Sequence, residues 1–228
     1  MPQRYLSHSI HLLILSVLML LPCYPASVEA QPQNPPPQNP WGSVWQQIIR
    51  RRDQDKPRTS RGLICPVIPQ LMSQRVIWRD RPIFVWKGKA EMISVFDFAD
   101  PQQPIWTRDR LGNDNSVVYA GEPLKPGTRY IWKAETGTEI SQVIFQILER
   151  STRDQVTAQL TQLETQLNYQ KGTPEERVKQ RVQFFLNQNL FLDALQELYS
   201  MPQPSPELKA LREQIVQVSC PNQTQGKQ

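Results

Sequence analysis

The spacing of apolar and polar positions divides the chain into two parts. Between residues 63 and 149, apolar residues alternate with polar ones in short runs separated by turn residues, which is typical of β-strands. From residue 152 onward, apolar residues recur every three or four positions, as on one face of an α-helix. Strands followed by helices predict an α+β fold, with a β domain over residues 61–149 and a helical domain over residues 150–220.

The first part contains seven short strand-like runs with Gly, Pro, Asn and Asp between them. Seven short strands at this spacing predict an antiparallel β-sandwich. The run over residues 91–98 is apolar on both faces for most of its length, so we expect it in the middle of a sheet. The predicted strands cover residues 75–78, 83–87, 91–98, 105–108, 116–119, 129–134 and 142–148.

One turn makes this prediction sharper. The segment over residues 124–132, with Pro126 and Gly127 before Tyr130, resembles the tyrosine corner of immunoglobulin-like and fibronectin-like sandwiches. In that corner the tyrosine hydroxyl bonds to the backbone a few residues upstream, so the resemblance implies a sandwich of this kind with Tyr130 pinning the turn. An ordinary Pro-Gly hairpin turn is the alternative.

Four tryptophans fall within the predicted strands. Trp86 and Trp132 are expected in the core, whereas Trp78 and Trp106 are compatible with core or exposed positions. Because the face of an aromatic ring stacks on sugars, exposed Trp78 and Trp106 would favour carbohydrate binding, and burial of both would exclude it.

The second part predicts four helices, over about residues 152–170, 174–188, 191–200 and 206–218. Thr173 to Glu176 forms a capping box with proline at the first helical position, a strong helix start. Residues 175–206 resemble one tetratricopeptide repeat. A lone repeat cannot bury its own apolar face, so we expect the neighbouring helices to cap it, and we carry no peptide binding over from that family. The matching residues are Phe185, Asn189, Phe191, Asp193, Ala194, Leu195, Leu198 and Pro206.

The first thirty residues predict a signal peptide. A positive residue, Arg4, precedes the apolar run over residues 10–21, and small residues at Val28 and Ala30 offer a cleavage site. The run is shorter than the roughly 20 residues that span a bilayer, and an uncleaved anchor is the alternative. Export to the periplasm or the cell exterior follows from this prediction.

Export also bears on the cysteines. After cleavage, Cys65 and Cys220 remain, and an even count in an oxidising compartment indicates one disulfide. That bond would join the start of the folded region to its end. Two free thiols are the alternative, because sequence does not give the pairing geometry.

Residues 31–60 predict a linker that is first rich in Pro and Gln and then basic. Within it, residues 41–52 place apolar side chains on one face of a short helix. This helix either contacts an anionic membrane or a partner, or forms a disordered arm or folds back on its own domain. The residues of the predicted contact are Trp41, Trp45, Arg50, Arg51 and Arg52. Residues 221–228 predict a disordered tail.

The chain's chemistry is limited by its histidines. His8 and His11 are the only two, and both lie inside the predicted signal. This excludes Ser-His-Asp and Cys-His catalysis and histidine-ligated zinc from the exported part, so we predict no catalytic, cofactor-binding or metal-ligating residue.

A net charge of +5 is too small to indicate nucleic-acid binding. Carboxylates could still serve a hydrolase, but solvated turn residues are the favoured interpretation of those that lie in or between the strands. These are Asp97, Asp100, Asp109, Asp114, Glu122, Glu135 and Glu139.

Residues 61–220 also resemble a group of cyanobacterial secreted proteins, the domain of unknown function numbered 928. The resemblance lies in residues 61–66, 80–86, 126–132 and 191–195, and it implies export without implying an activity. Taken together, the sequence predicts an exported, non-catalytic protein-interaction or scaffold module of the cell envelope. The alternatives are a carbohydrate-binding module for envelope polysaccharide and, less favoured, a carboxylate-based hydrolase.

Overall fold

The computed structural model describes residues 39–55 and 62–221. The predicted signal peptide over residues 1–30, the proline-rich start of the predicted linker and nearly all of the predicted tail lie outside the described residues. Within the described residues, no helix is both long enough and apolar enough to cross a bilayer.

Each of the seven predicted strands is present, and there is one more. The additional strand, at Cys65–Ile68, is a continuously buried run without apolar–polar alternation, which is why the period-two pattern did not predict it. The described residues form these strands: β1 (Cys65–Ile68), β2 (Val76–Ile77), β3 (Ile83–Lys87), β4 (Met92–Asp97), β5 (Pro104–Asp109), β6 (Ser116–Val118), β7 (Arg129–Glu135) and β8 (Ile140–Ile147).

The strands form two sheets, a three-stranded one in the order β1-β3-β6 and a five-stranded one in the order β2-β8-β7-β4-β5. The predicted central strand, β4, does lie inside the larger sheet, between β7 and β5. The prediction of a purely antiparallel arrangement is wrong for one pair, because β2 runs parallel to β8. A parallel pair is open to these two strands because they are far apart in the chain and need no hairpin between them.

The core between the sheets is aromatic. Trp86 and Trp132 are almost completely buried. The ring of Phe84 lies 6.0 Å from that of Trp132 and 5.8 Å from that of Phe145, centroid to centroid. At the turn before β7, the Tyr130 hydroxyl accepts a hydrogen bond of 2.9 Å from the backbone N–H of Lys125. The Tyr130 hydroxyl is thus bonded to the backbone five residues upstream.

This hydrogen bond gives a first testable expectation. Tyr130→Phe should lower the free energy of unfolding by about 1 kcal/mol, because the substitution removes the bond and keeps the buried ring. Tyr169→Phe is the matched control, since Tyr169 is 86% exposed on a helix. Urea denaturation of the two variants measures the difference. Equal stabilities would show that the hydroxyl does not hold the turn.

The described residues also form five helices. The four that were predicted after the strands are present, and the capping box is confirmed: Thr173 Oγ1 accepts from the Glu176 N–H, while the Glu176 carboxylate accepts from the Thr173 N–H. Ser205 caps the last helix in a similar way, accepting from the Leu208 N–H. The helices are α1 (Gly42–Asp55), α2 (Arg150–Tyr169), α3 (Pro174–Asn187), α4 (Phe191–Ser200) and α5 (Pro206–Ser219).

The helices and sheets share one apolar core. Helix α4 packs on β1, β2 and β3, and α5 packs on β1, while α3 joins α4 to α1 and α2. A disulfide between Cys65 in β1 and Cys220 at the end of α5 closes this contact, with the two Cα atoms 6.0 Å apart. Such a bond is compatible with an oxidising location.

Helix α1 folds back on the rest of the molecule, which was one of the alternatives for residues 41–52. Trp41, Val44 and Ile48 are buried, and the Trp41 indole N–H donates to Glu175 of α3 at 2.7 Å. The Arg52 guanidinium donates to the Val218 carbonyl at 2.6 Å. Residues 42–55 therefore belong to the folded part and not to the predicted linker over 31–60.

The five residues predicted to contact a membrane or partner do not form one exposed surface. Trp41 is buried, Trp45 is half-buried, and only Arg50 is fully exposed. Arg51 lies over the ring of Phe191, and Arg52 binds the end of α5. The apolar face that a membrane contact would need is used inside the protein.

Candidate functional site

Helix α4 carries polar side chains that are completely buried against the β part. Both oxygens of the Asp193 carboxyl accept backbone N–H groups, one from Trp78 at 2.8 Å and one from Arg79 at 3.1 Å. The side-chain oxygen of Gln196 accepts from the Ile83 N–H at 2.9 Å. These bonds satisfy backbone donors between β2 and β3 and fix α4 against the sheet.

Glu197, on the same face of α4, lies between two guanidinium groups. Its carboxylate accepts two hydrogen bonds of 2.8 Å from Arg181 and also pairs with Arg79. Burial alone would raise the pKa of the Glu197 carboxyl, but the hydrogen bonds from Arg181 and the charge of Arg79 lower it below its ordinary value. Arg181 forms a further ion pair with Glu164 at the surface of α2.

The pKa of Asp193 is shifted the other way. Burial raises it to about 7, against the two backbone N–H groups and the charge of Arg79, which lower it. A carboxyl with such a pKa suits proton transfer when a substrate can reach it. However, Asp193 has no exposed surface and lines none of the cavities described below. We therefore assign Asp193, Gln196 and Glu197 to the packing of α4.

The carboxylates that the sequence left for a hydrolase are spread over strands and turns. Asp97 accepts from the Ala99 N–H, and Glu139 accepts from the Leu63 N–H at 2.7 Å. The described residues line four cavities, of about 270, 290, 360 and 500 Å³, and none of these seven carboxylates lines any of the four. Among the described residues, no group of three or more Asp, Glu, Cys or His side chains could hold a metal ion.

One cleft, of about 360 Å³, does bring carboxylates together at the start of α3 and α5. Glu175 there is subject to burial, which raises its pKa, but hydrogen bonds from Ser205 and Trp41 lower it overall. The backbone and side chain of Thr173 lower the pKa of Glu176. Glu175 and Glu176 are held ionised by capping contacts, so neither suits the role of a general acid. The third carboxylate of the cleft, Glu207, lies in the first turn of α5.

The largest of the four cavities is a groove of about 500 Å³ between α5 and the three-stranded sheet. Its helical wall is held in place by Arg212, which donates to the carbonyls of Leu198 and Met201 at 2.7 and 2.9 Å and lies over the Tyr199 ring. Burial raises the pKa of Tyr199 to about 12, so its hydroxyl stays protonated and donates to the Arg212 carbonyl. The lining residues are Val85, Trp86, Lys87, Gly88, Asn115, Ser116, Tyr199, Arg212, Glu213, Val216 and Gln217.

Strand β6 forms one side of this groove and is the outer strand of its sheet. The pairing with β3 uses alternate residues: the Trp86 N–H donates to the Asn115 carbonyl and the Tyr119 N–H to the Pro82 carbonyl. In an antiparallel ladder, the backbone groups of the residues between them, Ser116 and Val118, point away from β3. No residue in the described part of the chain hydrogen-bonds to those groups.

Apolar side chains lie on and beside this edge, although three exposed residues of the nearby strand β5, Thr107, Arg108 and Asp109, are polar. Val118 is 54% exposed, and the next residue, Tyr119, packs against Trp106 of β5 with ring centroids 5.2 Å apart. Strand β5 is the outer strand of the other sheet, and its Ile105 is 45% exposed. The edges of both sheets thus meet on one side of the molecule and present apolar side chains there. We refer to β6 and the 500 Å³ groove beside it as the β6 margin.

Trp78 and Trp106, whose exposure bears on carbohydrate binding, are both half-buried. Trp78 packs against Phe185, and its indole N–H donates to Thr157 at 3.1 Å. Each ring packs against another aromatic ring of the protein, so part of its surface is not available to stack on a sugar. Carbohydrate binding therefore stays a prediction.

The comparisons with known proteins add no relative. No family model matches the chain, and neither the curated proteins nor the solved structures contain a significant match. The class that the fold defines is therefore an α+β protein of mostly antiparallel strands in two sheets, closed by a disulfide onto a layer of helices. Sequence reasoning predicted β6 as a strand but gave no signal that it was an edge or that a groove lay beside it.

Proposed function

We propose that the chain is an exported, non-catalytic protein-interaction module of the cell envelope, and that it binds its partner at the β6 margin. The observation that carries the proposal is the outward-facing backbone of Ser116 and Val118 next to the groove. Unpaired backbone donors and acceptors beside apolar side chains are the features by which sheets recognise other polypeptides.

The other buried polar groups make structural contacts, which supports a protein that acts by binding a partner. The buried carboxyl groups of Asp193 and Glu197 hold α4 against the sheet and against α3. Two of the three carboxylates of the 360 Å³ cleft, Glu175 and Glu176, make capping contacts at the starts of α5 and α3. These groups serve packing, and the β6 margin is left as the place where an outer strand lies beside a groove.

Export and the finer fold class belong to the same proposal. The Cys65–Cys220 bond supports an oxidising location, in agreement with the predicted signal peptide. The hydrogen bond of Tyr130 supports an immunoglobulin-like or fibronectin-like sandwich. The antiparallel pair α3–α4, with Ala194 fully buried, supports a tetratricopeptide-like pair of helices. Membership of the cyanobacterial secreted group remains part of the proposal.

Photo-crosslinking tests the proposed function. A photo-reactive amino acid at position 118, in the full chain in its native envelope, should crosslink to one protein that also co-purifies in stoichiometric amount. The same amino acid at position 169, which is more exposed but lies on α2, should not. A chain that crosslinks to no protein from position 118 and purifies as an isolated monomer would contradict the proposal.

A further inference from the structure

The backbone groups and the groove of the β6 margin favour one kind of partner. This inference rests on the proposed function. Three separate observations bear on it: the direction of the unpaired backbone groups, the position of the groove, and the length of the strand. Together they indicate the kind of polypeptide that can bind at this margin.

Within residues 39–55 and 62–221 these backbone groups have no partner, and they are arranged as in a strand that lacks a neighbour. Ser116 and Val118 are two residues apart, and each presents an N–H and a carbonyl away from β3. A helix has no free backbone groups to match them, because its own N–H and carbonyl groups are paired within the helix. An extended segment has both groups available at the same two-residue spacing.

The groove determines which side chains such a segment would carry. Ser116 and its partner across the ladder, Val85, both line the groove, so this face of the sheet is its floor. Side chains of an added strand alternate between the two faces of a sheet, so every second one would lie towards the groove. The apolar and aromatic part of the lining comes from Val85, Trp86, Tyr199 and Val216, and Lys87, Arg212 and Glu213 add charged groups.

We propose that the partner is an extended segment of another protein, which adds to β6 as the next strand and places alternate apolar side chains over the groove. The backbone bonds to Ser116 and Val118 supply affinity, and the groove supplies specificity for apolar side chains at every second position.

A second copy of the chain fits this margin less well. Strand β6 has only three residues, and an edge pair of that length is far from the roughly 1,200 Å² that a stable dimer buries. An independent extended segment can supply both the backbone and the side chains.

The test uses the full chain and a phage-displayed library of short random peptides as the probe. Selection should enrich peptides with apolar residues at alternate positions. Val118→Pro should weaken the best of them about tenfold or more, because proline removes an outward N–H and obstructs the approaching strand. Proline is tolerated there since the Val118 N–H takes no part in the ladder with β3.

Val118→Thr is the matched control. Threonine keeps the backbone N–H and the branched shape, so binding should fall much less than with proline. Thermal unfolding of both variants verifies folding. As a measurement that needs no variant, amide hydrogen exchange of the unmodified chain should slow at Ser116 and Val118 when the peptide binds, and the exchange of Val117 should change little.

The outcomes separate this inference from the proposed function. If enriched peptides bind without slowing exchange at Ser116 and Val118, or bind the folded Val118→Pro variant unchanged, strand addition is overturned. A protein crosslinked through position 118 would still support the proposed function in that case. A concentration-dependent dimer in sedimentation, abolished by Val118→Pro, would overturn the partner segment in favour of a second copy.

Discussion

Replacing Glu197 with alanine should lower the free energy of unfolding by about 3–5 kcal/mol, the cost of breaking a buried ion pair by removing one partner. The Glu197 side chain is 2% exposed and neutralises both Arg79 and Arg181. Its loss leaves two guanidinium groups with reduced solvent access and no carboxylate between them. Chemical denaturation monitored by tryptophan fluorescence measures the effect.

Glu164→Ala is the matched control for this expectation. Glu164 pairs with the same Arg181, but its side chain is 36% exposed, so water replaces much of the lost interaction and the cost should be about 1 kcal/mol or less. Both variants remove a carboxylate from Arg181, and Glu197→Ala also removes the partner of Arg79, so the comparison measures the buried position together with this second ion pair. If both variants lose the same stability, the α4 interface does not depend on a desolvated ion pair.

Removing the disulfide should have an effect of similar size. The bond closes a loop of 155 residues, for which the chain-entropy model gives roughly 5 kcal/mol as an upper figure. We expect the Cys65→Ala/Cys220→Ala variant to lose about 2–5 kcal/mol of stability. Thermal or urea unfolding measures the loss, and α5 should be the first element to lose protection because the bond ties it to β1.

A reductant provides the control for that variant. Reducing the unmodified chain should lower its stability towards that of the double variant, whereas the double variant should not respond to reductant. Mass spectrometry of the unreduced protein verifies that the bond is present at the start. An unmodified chain that contains the bond and yet unfolds at the same urea concentration with and without reductant would contradict this expectation.

The elements that the sequence predicted well are those with a clear period. The seven alternating strands and the four later helices each follow from a local pattern, and the capping box at Thr173 marks a helix start within one residue. Strand β1 was missed because its four residues are all buried, so no alternation exists to be seen. A run of that kind is compatible with a strand or with an ordinary buried segment.

The packing of α4 could not be predicted, because its evidence lies far away in the chain. Asp193 and Glu197 read as the polar face of a helix, and their partners Trp78 and Arg79 are more than 100 residues earlier. Helix α1 shows the same limit. Its apolar face suits a membrane or another helix equally well, and only the tertiary contact with α3 distinguishes them.

The β6 margin is the clearest case of this kind. The sequence predicted a strand over residues 116–119, but a strand becomes an edge only through the order of the sheet. That order depends on the pairing of β3 with both β1 and β6, which no local pattern encodes. The groove in turn depends on where α5 is held by its disulfide.

Binding of a partner at the β6 margin requires that one side of β6 is paired with β3 and that the other side is open. Amide hydrogen exchange of the unliganded full chain, resolved residue by residue, measures this directly. Val117 and Tyr119 face β3 and should exchange slowly, whereas Ser116 and Val118 should exchange quickly. Slow exchange at all four residues would mean that the outer side of β6 is already covered, and it would contradict the account.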